Sequence, residues 1–165
     1  MIICGIDPGT RITGYGVLDI GSRPRATLSY VAHGTIRPGG DDLSLRLKEI
    51  FLKITDIFSQ YRPAEVAVET TFHALNAQSA LKLGQARGAV LIAASLLGIP
   101  VFEYSPTEVK KATCGYGHAD KDQVSAMIST ILHLPRGTVA SADASDALAI
   151  GLCHSSSRKL RELAR

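Results

Sequence analysis

Asp7, Glu69, Asp143 and Asp146 lie in stretches of this sequence that otherwise have little use for a carboxylate. Asp7 ends the apolar run IICGI, and Glu69 ends Val66-Ala67-Val68 in the same way. In the segment SADASDALA, Asp143 and Asp146 are three residues apart, which puts both on one side of a helix. An aspartate in the first turn of a helix is accounted for by the helix dipole, so Asp143 has a structural explanation. Asp146 is followed by Ala147, Leu148, Ala149 and Ile150, where a carboxylate calls for a partner or a metal. Four gathered carboxylates repel one another and hold their protons more tightly. Divalent cations relieve that repulsion, and an all-oxygen donor set selects Mg²⁺ or Mn²⁺ over zinc. Two such ions about 4 Å apart can bracket a phosphate under attack. Four unrelated surface acids are the alternative, and spacing alone leaves both readings open. The turn GIDPGT also has a second use, as a phosphate cradle for ATP in sugar kinases and actin-like ATPases. Those proteins duplicate the domain and carry a second phosphate loop, and no internal repeat is present here.

The elements that must position these residues follow from hydrophobic periodicity. Residues 2–7, 14–20 and 28–36 read as strands joined by short turns, hence an antiparallel meander. Apolar positions 43, 47, 50, 51, 54, 57, 58 and 61 recur at helical spacing, with Asp41 or Asp42 as cap and Pro63 as stop. Residues 64–69 form a compact fourth strand, 75–97 a long helix ended by Gly98, and 99–104 a fifth strand. Helices are predicted over 106–112, 120–134 and about 141–164, with Pro106 suited to a first helical turn. The expectation is an α/β fold: a five-stranded mixed sheet, antiparallel meander plus two parallel strands, flanked by helices. Strands one and four, as parallel neighbours, would deliver Asp7 and Glu69 to the same C-terminal edge, where such sheets place their ligands.

The chain has 165 residues, the length of a single domain, and residues 1–165 are read as one. No run approaches the roughly 20 apolar residues of a membrane span, and no basic n-region follows Met1, so a cytoplasmic protein without membrane contact is expected. Cys4, Cys114 and Cys153 are scattered and odd in number, which reads as structural thiols rather than a zinc site or a disulfide framework. Net charge is only +3, but setting aside the four carboxylates leaves 11 acids against 18 Lys and Arg. A basic surface around an acidic pocket suits a polyanion attacked at a metal centre.

The motifs GIDPGTRITGYGV, ETTFHALNAQSALKLGQARG and ADASDALAIG, in this order and spacing, resemble the RuvC-type Holliday-junction resolvases over nearly the whole chain. The resemblance implies an RNase H-like fold, a homodimer, and Mg²⁺-dependent paired nicks across a four-way DNA junction. It assigns the metal ligands to Asp7, Glu69, Asp143 and Asp146, with two Mg²⁺ ions per site and Mn²⁺ as a substitute. It further implies DNA contacts at Phe72, Lys110, Lys121, Asn76 and Arg11, and a branch-migration motor of the RuvA and RuvB type as partner. Phe72 would stack on unpaired bases, each such stack being worth roughly 1–3 kcal/mol. For Phe72 the alternative is a core aromatic, for each lysine a solvated charge, and for Asn76 a helix cap. Leu75 departs from the family pattern, where a basic residue commonly precedes the asparagine. Small residues Ala77, Ala80, Gly84 and Gly88 recur on the long helix; they pack within the chain or, as the resemblance suggests, also help to build a dimer. A related nuclease acting on RNA or other branched DNA, and a non-catalytic DNA-binding module, remain as other readings.

Overall fold

A computed structural model describes residues 1–21, 28–70, 77–135 and 137–163. Among these residues the chain order is β1 (Ile2–Asp7), β2 (Thr13–Asp19), β3 (Ser29–Ile36), α1 (Leu43–Tyr61), β4 (Glu65–Glu69), α2 (Ala77–Leu96), β5 (Val101–Tyr104), α3 (Pro106–Cys114), α4 (Lys121–Ile131) and α5 (Ala142–Leu163). The strands form one sheet in the order β3-β2-β1-β4-β5. Both meander contacts are antiparallel, and β4 runs parallel to β1 and β5. This is the mixed α/β sheet that the sequence predicts.

Helix boundaries follow local chemistry. Asp42, one of the two candidate caps, accepts a hydrogen bond from the Leu45 amide, and α1 closes at Arg62 in the left-handed region just before Pro63. Ser105 and Glu108 form a reciprocal capping box at α3, and Asp120 and Gln123 form another at α4. The predicted helix 120–134 ends early at Ile131, because His133 takes a positive φ of 52° that no helix accepts. The fifth strand is shorter than 99–104, since Pro100 offers only its carbonyl, which the Val66 amide takes.

Alternation along the strands divides the core into two layers. Cys4, Ile6, Val66 and Val68 face α1 and α2, burying Ile50, Ile54, Phe58 and Val90. Ile3 and Ala67 point the other way, towards Val109, Ile128 and Leu148 of α3, α4 and α5. Because side chains repeat every two residues, Asp7 shares the α5 side with Ile3, and Glu69 shares it with Ala67. Ile6 is paired with Val68, so the two carboxylates are neighbours one step further along adjacent parallel strands.

Glycines set how closely α5 can lie on this sheet. A Cβ on Gly5 would overlap the carbonyl oxygen of Ala147, and one on Gly14 would overlap that of Asp143. The backbone of α5 therefore rests directly on β1 and β2, with Asp143 beside the strand position that pairs with Asp7. No helix among the described residues is long and apolar enough to cross a membrane.

Candidate active site

Asp7, Glu69 and Asp146 line one cavity of about 300 Å³ with Lys110, Lys121, Pro106, Val109 and Val124. β1 and β4 supply the first two carboxylates, α5 the third, and the lysines come from α3 and from the first residue of α4. Asp143 is placed differently. It borders a separate hollow of about 380 Å³ whose lining includes Gly9 and Arg11 of the β1–β2 turn and Lys82 of α2. Ser141 Oγ donates a 3.4 Å hydrogen bond to its carboxylate. Among the described residues, no three His, Cys, Asp or Glu side chains are drawn into a closed metal-ligand set. Three of the four predicted ligands thus share one cavity, and the fourth acts on it through its charge.

The electrostatics show that coupling. Burial raises the Asp7 carboxyl to about 7, with further contributions from the charges of Glu69, Asp146 and Asp143, while Lys121 opposes them. Glu69 is raised to about 6 by burial and then by Asp146, opposed by Lys121 and Lys110. Lys121 Nζ donates to Asp146 at 3.1 Å, and that carboxylate is the main reason its own pKa is raised. Half-buried carboxylates held close with too few cations to balance them are chemically suited to a hard divalent ion, because every donor is oxygen. The turn between Asp7 and β2 is held by Thr13, whose hydroxyl donates to the Gly9 carbonyl at 2.8 Å and accepts from the Gly9 amide at 3.3 Å.

Arg11 is exposed on that turn, Lys121 is exposed at the cavity mouth, and Lys110 is half-buried. Phe72, Leu75 and Asn76 lie outside the described residues. The sequence reading missed the seating glycines, although Gly14 and Gly16 inside the strand GYGV carried the signal of close backbone approach. It also missed His154, which is fully buried on α5. His154 Nε2 lies 2.7 Å from the Glu65 carboxylate and its Nδ1 lies 2.8 Å from the Tyr104 hydroxyl. A carboxylate can only accept, so Nε2 carries the proton and Nδ1 accepts from Tyr104. No short-range pattern announces contacts 89 and 50 residues apart.

Residues 3–154 match the family model described as crossover junction endodeoxyribonuclease RuvC. The chain belongs to the RuvC family. A RuvC crossover junction endodeoxyribonuclease of Shewanella oneidensis is 52% identical, over 93% of this chain and 86% of the relative. That of Geobacter metallireducens is 47% identical over 100% of this chain and 98% of its own. The solved structure of Thermus thermophilus RuvC in complex with Holliday junction substrate superposes with a TM-score of 0.88 at 33% identity, covering 98% of this chain and 96% of that one. The fold is accordingly the RNase H-like sheet of RuvC, and the chain is an endodeoxyribonuclease that hydrolyses phosphodiester bonds. An ATP cradle at GIDPGT and a non-catalytic binding module are both set aside by this membership.

Proposed function

We propose that this RuvC-family chain, as one nuclease domain over 1–165, resolves four-way (Holliday) DNA junctions in recombination and repair. Paired, symmetric, Mg²⁺-dependent nicks would leave 5′-phosphate and 3′-hydroxyl ends. The observation that carries the reading is the cavity in which Asp7 and Glu69, from adjacent parallel strands, meet Asp146, Lys110 and Lys121. Asp7, Glu69 and Asp146 would hold the metal from that cavity, and Asp143 would complete the set from the separate hollow. Two Mg²⁺ ions, or Mn²⁺ in their place, would supply Lewis-acid stabilisation of the negative charge on the phosphoryl oxygens and on the leaving oxygen. The chain itself holds the phosphate with Lys110 and Lys121, and Lys121 exchanges Asp146 for the substrate as that carboxylate takes up its ligand role. Val109 and Val124 wall the cavity and limit water around the reacting group. Arg11, Phe72 and Asn76 are assigned to DNA, Phe72 by stacking on an unpaired base.

A homodimer fits this substrate, because a two-fold enzyme offers two sites to a nearly two-fold junction. Among the described residues, Gly84 and Gly88 on α2 meet no atom within 4 Å of a would-be Cβ, so close packing among those residues does not account for them. The apolar Leu81, Ile92 and Leu96, at 64%, 57% and 70% exposure, continue the same face. The family also implies a branch-migration motor of the RuvA and RuvB type as partner and a cytoplasmic setting.

Competition cleavage of a mobile four-way junction, a flap and an RNA/DNA hybrid tests the reading. Preferred, symmetric nicking of the junction in Mg²⁺ is expected, whereas preference for the hybrid would assign a different RNase H-like nuclease. Asp146→Asn should keep junction binding and lose cleavage by about 10³-fold, the equivalent of about 4 kcal/mol in the barrier. Normal nicking by that variant in Mg²⁺ would sink the site.

A further inference from the structure

The hollow bordered by Asp143 is walled by the β1–β2 turn, which follows Asp7 directly, and it is lined by two cations from distant parts of the chain. Arg11 projects from the turn and Lys82 from the second turn of α2; among the described residues neither makes an ion pair. The turn that carries Arg11 is clasped by Thr13, which bonds both polar groups of Gly9. A Cβ on Gly9 would overlap the Ile12 carbonyl, so the turn is tight at this point and takes no side chain there. With Asp143 as the one acid in its lining, the hollow has an excess of positive charge. The carboxylate cavity sets two lysines against three acids, with Lys121 ion-paired to Asp146.

We infer that this hollow is a second phosphate subsite, in which Lys82 and Arg11 grip the backbone phosphate next to the one cleaved. The inference rests on the nuclease reading above. A strand whose scissile phosphate enters the carboxylate cavity must pass over the β1–β2 turn or leave away from it. Beside the β1–β2 turn, two cations that make no ion pair among the described residues line a concave surface of phosphate-accommodating size. Lys82 therefore sets the register of the strand, acting on position rather than on the reacting atoms.

The test measures junction binding in Mg²⁺ across a KCl series, in the Asp146→Asn background. Each phosphate contact contributes about 0.9 to the slope of log affinity against log salt. Lys82→Ala should flatten that slope by about one and weaken binding several-fold, and Lys82→Arg should restore both. Neutralising the phosphate next to the cleaved bond as a methylphosphonate should weaken binding to the Lys82 protein and leave the Lys82→Ala protein nearly unaffected. Unchanged slope and affinity in Lys82→Ala, or equal losses from methylphosphonate with and without Lys82, would overturn the subsite. Failure of the parent protein to prefer the four-way junction, or cleavage in the Asp146→Asn background, would instead overturn the reading on which it rests.

Discussion

Asp7 carries the highest electrostatic burden of any carboxylate in the cavity. Its pKa of about 7 in the fold exceeds the ordinary 3.8, so the protonated form is the one that folding favours. Stability from that group is fully present below about pH 4 and is lost as pH rises towards 7 in metal-free protein. Asp7→Asn removes the charge while keeping the shape. Its advantage in metal-free unfolding free energy should be near zero at pH 4 and grow to about 1–2 kcal/mol by pH 8, a range set by linkage and discounted for relaxation. Cleavage should be lost in the same variant. Mg²⁺ should raise the melting temperature of the parent protein at pH 8 and do so less at pH 5, where protons compete for the same oxygens. A flat pH dependence of the Asp7→Asn difference, followed by calorimetry, would show that Asp7 is not the strained group. The thiols shift the same way: burial pushes Cys4 up to about 12 and Cys153 up to about 11, which fits structural rather than reactive roles.

At the scale of elements, the site depends on how α5 is seated. Gly14→Ala would drive a methyl into the Asp143 carbonyl and lift the start of α5 from β2. Overpacking of this kind costs about 1–3 kcal/mol, so the variant should melt lower and cleave at least tenfold more slowly. Rescue of cleavage by raised Mg²⁺, without rescue of the melting temperature, would show that ligand placement is what was lost. The other end of the seating is the His154 cluster, where α5 is tied to Glu65 of β4 and Tyr104 of β5. Tyr104 in turn accepts from the Thr70 amide at 2.8 Å, immediately after Glu69. Burial lowers the His154 pKa, with the Glu65 hydrogen bond opposing, so the neutral ring is favoured and stability falls as pH drops below about 6.5. Tyr104→Phe leaves His154 Nδ1 without its donor and should cost about 1–3 kcal/mol on denaturant unfolding.

For the whole molecule, the proposed dimer would rest on the exposed face of α2. Leu81, Gly84, Gly88, Ile92 and Leu96 lie on the side opposite Ala86, Val90 and Ala93, which are buried against the sheet and α1. A charge placed there should not disturb the fold but should be intolerable in an apolar interface. Ile92→Asp should therefore run as a monomer in light scattering while melting within about 0.5 kcal/mol of the parent monomer's stability. On a four-way junction it should give isolated single nicks instead of near-simultaneous pairs. A dimeric Ile92→Asp protein would remove α2 from the interface.

Much of this architecture was legible without coordinates. The strands announced themselves by apolar runs and turns, and the meander followed from connections too short for crossovers. Asp7 and Glu69 were locatable because period-two alternation and parallel pairing are local rules, which the Ile6–Val68 register obeys. What only the tertiary structure decided depends on contacts between distant residues. Convergence of four acids was an assumption in the sequence; the fold puts three in one cavity and sets Asp143 on a separate hollow. The Lys121–Asp146 pair, 25 residues apart, and the His154–Glu65 pair, 89 apart, have no periodic signature because neither lies within one element. The resemblance to RuvC had already named the carboxylates, but the depth of α5 on β1 and β2 came from where backbone met backbone. Sequence pattern determines which face a side chain takes along its own strand or helix, and only packing sets the distance between faces.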